Sequence, residues 1–191
     1  MTQKPRYSPE DEQQLMTQLW SPQIADDLES FVMFSYPWGQ KNTPLEHQKG
    51  PRRWQREVLR RITQHLKDNR GQLEMDALRE AVASGRGIGK SALVSWLSHW
   101  MVSTRIGSTV TISANTESQL SKVTWGELSK WITMALNAHW FEIAATKITP
   151  AAWLTDLVER ALKEGTRYWA IEGELRSAEN PDAYAGTHNM H

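Results

Sequence analysis

The chain has 191 residues, in which 22 Lys and Arg balance 22 Asp and Glu, and it contains no cysteine. That length suits one domain with a sizeable core. The charge balance gives no global pull toward nucleic acid, and the lack of thiols excludes disulfides and thiolate metal sites. The opening MTQKPRYSPEDE lacks the apolar segment of a secretory signal, and no apolar run is long enough to span a bilayer, so a soluble intracellular protein is expected. Ten Trp is a high count, and packing is the ordinary use of such residues.

Ser8-Pro9-Glu10-Asp11 reads as a helix start, with a capping Ser, Pro at the first helical position and acids in the first turn. Ser21-Pro22 repeats the signal and opens a predicted helix carrying Ile24, Leu28, Phe31 and Val32. Tyr36-Pro37-Trp38-Gly39 ends it, and residues 37–50 read as a loop. A third helix is predicted over about 51–68, with Trp54, Val58, Leu59, Ile62 and Leu66 on its apolar side.

Ala77 to Ala83 reads as a strand, although Arg79 and Glu80 suit a central parallel strand poorly. After it, Ala92, Leu93, Trp96, Leu97, Trp100 and Met101 form one apolar helical stripe. Ser108 to Ala114 is short and β-branched, a strand. Asn115-Thr116 turns into a helix bearing Leu120, Val123, Leu128, Trp131, Ile132 and Leu136. Pro150 opens a predicted helix to about Lys163, Tyr168 to Leu175 reads as a strand, and Ser177 to His191 as a polar loop. The order implies an α/β fold with a mostly parallel sheet flanked by helices, behind an N-terminal helical preface.

Between the first predicted strand and its helix lies Ser84-Gly85-Arg86-Gly87-Ile88-Gly89-Lys90-Ser91. It follows the phosphate-loop pattern G-x-x-x-x-G-K-[ST], with Ser84 where the first Gly would stand. In such a loop backbone N–H groups cradle phosphate oxygens, the Lys reaches the β- and γ-phosphates, and the hydroxyl of Ser91 would ligate Mg²⁺. Arg86 inside the loop is either a solvated turn residue or a cation placed against charge on a transferring phosphoryl group. The bland alternative for the whole stretch is a Gly-rich turn. Upstream, Trp54-Gln55 offers an amide able to pair with adenine N6 and N7. Lys49, Arg52, Arg53, Arg56, Arg60 and Arg61 place six cations in thirteen residues, with Arg52, Arg56 and Arg60 on one helix face. That face is either a DNA-backbone surface or simply solvated. Polar residues from Thr111 to Gln119 sit at a predicted strand's C-terminal end, where α/β sheets bind ligands. His188 and His191 have only Asp182 nearby and do not suggest a metal site. Between residues 92 and 191 no apolar strand runs into an Asp or Asp-Glu pair that would complete Mg²⁺ coordination and activate water; Ala170-Ile171-Glu172 comes nearest.

Together these motifs resemble the N-terminal ATPase region of bacteriophage terminase large subunits, the DNA-packaging motors. Phe34 to Gly39 with Gly50 to Gln55 is similar to the family's lead-in and adenine motif. Ser84 to Ser91 is similar to its variant phosphate loop, and Ser177 to His188 to the segment preceding its acidic strand. The resemblance implies a P-loop NTPase fold of the ASCE type with an incomplete sheet. It divides the chain into a helical lead-in over 1–48 and a partial ATPase domain over 49–191, lacking the acidic strand and the nuclease domain. It implies ATP and Mg²⁺ as ligands, with Trp54, Gln55, Ser84, Gly85, Gly87, Ile88, Gly89, Lys90, Ser91 and Ala92 at the nucleotide and Arg86 and Lys90 acting in hydrolysis. Double-stranded DNA, a small terminase subunit, a portal and assembly into an oligomer on that portal are the implied partners, in the host cytoplasm and away from membranes. A sequence ending at His191 would then be a fragment or a truncated prophage product, binding ATP with little hydrolysis. The alternatives are a non-catalytic module binding DNA or a portal through its basic helix, and another P-loop ATPase of helicase-like type.

Overall fold

A computed structural model describes residues 7–72, 77–83, 85, 87–163 and 165–175. Helix α1 spans Pro9–Leu19, and Ser8 caps it as expected: its hydroxyl accepts from the Asp11 N–H while the Asp11 carboxylate accepts from the Ser8 N–H, a reciprocal capping box. The next expected helix is broken in two. Pro22–Ala25 (α2) ends at Asp26, and Asp27 caps a new helix, Leu28–Ser35 (α3), by accepting from the Ser30 N–H. An Asp-Asp pair competes with the helix for backbone donors, and here it wins.

Helix α4 is Arg53–Asp68 and helix α5 is Lys90–Thr104. Strand β1 follows at Thr109–Ala114. A seven-residue π-helix, Gln119–Trp125, leads directly into α6, Gly126–Met134. After a short 3₁₀ turn come β2, Phe141–Ile143, and β3, Lys147–Pro150, then α7, Ala152–Leu162, and β4, Ala170–Leu175.

The protein is therefore α/β, but its sheet is small and mixed. Strand order is β1-β4-β3-β2. Only β1 and β4 run parallel, in the register Thr109↔Ala170 to Ala114↔Leu175; β3 is antiparallel to both β4 and β2. The expectation of a mostly parallel sheet missed the β2–β3 hairpin, whose strands are too short to show an alternating pattern. Pro150 ends β3 instead of opening a helix, and α7 starts two residues later. Nor do Ala77 to Ala83 form the strand expected ahead of the loop: they carry no regular structure, and all but Val82 are exposed. Arg79 and Glu80 are the reason, since Glu80 faces outward to pair with Arg61 of α4.

One core joins the N-terminal helices to the rest. Leu19, Leu28, Phe31 and Leu59 pack in the same cluster as Trp96, Leu128, Ile132, Trp140 and Ile171. The tryptophans pin this assembly through their indole N–H groups as well as their area. Trp20 donates to the Ser103 carbonyl at 2.9 Å, Trp100 to Ala25 at 2.9 Å, Trp169 to Val102 at 2.8 Å and Trp125 to Ala144 at 2.8 Å. Trp96 of α5 meets Trp131 of α6 edge to face, with centroids 5.0 Å apart.

A buried polar chain runs through the core. The Tyr36 hydroxyl donates to His99 Nδ1 at 2.9 Å, His99 Nε2 donates to Asn137 Oδ1 at 3.0 Å, and Asn137 Nδ2 donates to Ser103 Oγ at 3.0 Å. Because Asn137 uses its amine on Ser103, its oxygen must accept, which fixes the His99 tautomer. Burial lowers the His99 pKa from 6.5 to about 3, against a smaller opposing effect of the Asn137 hydrogen bond, and burial also raises that of Tyr36. The folded protein thus refuses a proton that the unfolded chain accepts below pH 6.5. Stability tied to His99 is complete above that pH and is lost as pH falls toward 3. By pH 5 the loss should reach about 2 kcal/mol. Urea unfolding at pH 7.5 and pH 5 measures it; His99→Gln should be less stable at pH 7.5 and show a shallower pH dependence than the wild type.

Candidate functional site

The site grows from the N-terminus of α5. Gly89 is the N-cap, with φ +93°, and Gly87 has φ +75°, both in the left-handed region that favours glycine. Lys90 and Ser91 open the helix, so the positive end of its dipole lies here. The Lys90 ammonium donates to the Gly85 carbonyl at 2.8 Å, folding back over its own loop.

Gln55, on the first turn of α4, holds this loop through its side-chain amide. Its Oε1 accepts from the Arg52 N–H at 2.8 Å, and its Nε2 donates to the Gly89 carbonyl at 2.9 Å. The side chain is only 3% exposed. A Cβ on Gly89 would lie 2.8 Å from that same Nε2, so a side chain there would collide with the amide as well as strain the backbone.

A cavity of about 930 Å³ opens in front of the loop. Gly87 through Ala92 form one wall. Ser113, Ala114 and Asn115, at the C-terminal end of β1, form a second, and Gln119, Thr124 and Glu127 from the π-helix and α6 complete it. π-Helical turns are uncommon and concentrate at functional sites.

The structure thus brings Gly87, Ile88, Gly89, Lys90, Ser91 and Ala92 together on one cavity with the polar residues after β1. Gly85 reaches the site through its carbonyl on Lys90. Ser84 and Arg86 lie outside the described residues, as do Asp182, His188, His191 and the rest of the segment from Ser177. Trp54 and Gln55 do not line the cavity, and the Gln55 amide is buried on its two backbone partners. Of the basic face, Arg60 pairs with Glu29 at 2.6 Å, Arg56 lies 3.6 Å from the same carboxylate, and Arg53 pairs with Glu57 at 3.1 Å. Arg52 serves as the N-cap of α4. A DNA backbone approaching Arg56 and Arg60 would have to displace Glu29.

Two carboxylates bear on the acidic partner that the sequence seemed to lack. Glu172, in β4, is held 2.7 Å from Lys147 and does not line the cavity. Glu127 does, and sequence inspection missed it. It follows no apolar strand; its only signal is an acid next to Gly126 in a helix's first turn.

Among the described residues no group of three or more His, Cys, Asp or Glu could hold a metal ion, and no helix is long and apolar enough to cross a membrane. Comparison with protein-family models, with curated proteins and with solved structures finds no match for this chain.

The Gln55 link is directly testable. Gln55→Leu leaves the Arg52 N–H and the Gly89 oxygen short of a buried partner, at a cost of about 1–3 kcal/mol. Urea unfolding should show that loss; unchanged stability would mean the link does not form in solution.

Proposed function

We propose that the cavity in front of Gly87–Ala92 binds the phosphates of a nucleoside triphosphate, ATP with Mg²⁺. The observation that carries this reading is the meeting, on one cavity, of a glycine-rich helix N-terminus bearing Lys90 and Ser91 with the polar C-terminal end of β1. Two left-handed glycines let the backbone turn its N–H groups toward an anion, and the helix dipole favours one there. The donor set fits the ligand. Lys90 supplies a charge, Ser91 a hydroxyl for Mg²⁺, and Asn115, Gln119 and Thr124 supply hydrogen-bonding groups opposite. No protein cage for a metal is needed, because Mg²⁺ is commonly held by one or two protein oxygens together with substrate phosphates.

On this reading the Lys90 ammonium exchanges the Gly85 carbonyl for phosphate oxygens. Gln55 keeps the Gly89 carbonyl turned away from the anion and so aims the neighbouring N–H groups at it. Bound ATP and Mg²⁺ would supply the phosphoryl group and most of the charge. Ser91 and Lys90 would position them, and Arg86, on the resemblance of its loop, would be the cation acting on a transferring phosphoryl group.

We further propose that this nucleotide site is the ATP-binding part of a terminase-like DNA-packaging motor. Support comes from the lead-in Tyr36-Pro37-Trp38-Gly39, the Gly50 to Gln55 segment and the loop with Ser84 and Arg86. The module that binds DNA without nucleotide is the weaker reading, because Glu29, Glu57 and Glu80 neutralise much of the basic face.

Titration calorimetry with ATP and Mg²⁺ tests the nucleotide reading. Lys90 is half-buried and bonded to the Gly85 carbonyl, so Lys90→Ala should weaken binding at least tenfold in a protein that circular dichroism shows to be still folded. Equal affinities in the two proteins would remove the reading.

A further inference from the structure

We propose that Glu127 makes the cavity selective for metal-loaded over metal-free triphosphate. This rests on the nucleotide reading of the same cavity and goes beyond it, because it adds a carboxylate outside the phosphate loop to the Ser91 hydroxyl on the cation's side. A carboxylate lining a pocket that takes a polyanion repels the bare ligand. It becomes favourable only when a cation travels with the phosphates, and Glu127 lines the same cavity as Lys90 and Ser91.

The side chain is held in place rather than left to swing. It sits at the start of α6, directly after the π-helix. Its Oε1 accepts from the Trp131 indole N–H at 2.8 Å. Trp131 is 4% exposed and packs edge to face on Trp96, six residues along the helix that begins with Lys90. The loop's cation and the cavity's carboxylate are thus carried by two helices locked through one aromatic contact. Oε2 has Lys130 at 3.7 Å, too far for a hydrogen bond, so this oxygen retains acceptor capacity. The π-helix that precedes Gly126 ends in the turn that delivers Glu127 to the cavity.

Titration calorimetry with ATP, in excess Mg²⁺ and in EDTA, reads the proposal. The wild type should prefer the Mg²⁺ complex. Glu127→Gln keeps an acceptor for the Trp131 N–H and removes the charge, together with the exposed ion pair to Lys130. It should bind metal-free ATP more tightly and cut the preference about tenfold, the size of one charge contact at a few ångström in a solvent-like dielectric. Glu127→Asp should retain a preference. A wild type that binds ATP equally with and without Mg²⁺, or a Glu127→Gln protein with an unchanged preference, overturns the proposal while leaving the nucleotide site intact. If Lys90→Ala binds as the wild type does under both conditions, the nucleotide reading itself falls, and Glu127 selectivity falls with it.

Discussion

The Gly89 carbonyl is where fold and site meet. It belongs to the N-cap of α5, accepts the first helical bond from the Leu93 N–H at 3.2 Å, and takes a second bond from Gln55 Nε2 at 2.9 Å. Gln55 in turn closes the N-terminus of α4 through the Arg52 N–H. Two helix starts are thereby fixed to one another by a single buried amide. A left-handed N-cap needs glycine, and the amide above it leaves no room for a Cβ, so the same residue satisfies a backbone and a packing constraint. The proposed anion site at the start of α5 is built on this junction.

Around this junction the aromatic core does the work of holding layers in register. Trp96 and Trp131 join α5 to α6, Tyr36 sits edge-on to Trp131 at 5.0 Å, and His99 carries the contact through Asn137 to Ser103. Residues before position 49 supply Leu19, Leu28, Phe31 and Tyr36 to that core, so the helical lead-in is built into the same cluster as the segment that bears the loop. A neutral histidine is thus buried at the centre of this core, its pKa lowered by burial.

The parts legible in the sequence are those whose signals are local. Ser8-Pro9 announced a capped helix, the stripe from Ala92 to Met101 a helix after the loop, and Ser108 to Ala114 a strand, observed from Thr109. The β2–β3 hairpin escaped because strands of three and four residues carry no usable period. The stretch from Ala77 to Ala83 misled in the other direction: its alanines, leucine and valine read as a strand, while Arg79 and Glu80 weighed against one and Glu80 found a partner on α4. Gln55 was readable as an important amide, but its partners were not, since the Gly89 contact spans 34 positions. Glu127 reaches the cavity through a π-helical turn that no pattern of apolar residues announces.

The central claim is that phosphate oxygens bind at the N-terminus of α5, facing the end of β1. Mapping amide chemical-shift changes in isotope-labelled protein on adding ATP with Mg²⁺ tests it most directly. The account predicts saturable shifts at Gly87, Gly89, Lys90 and Ser91, with a second group at Asn115 and Gln119. Shifts confined to the basic face of α4, or none that saturate, would contradict it.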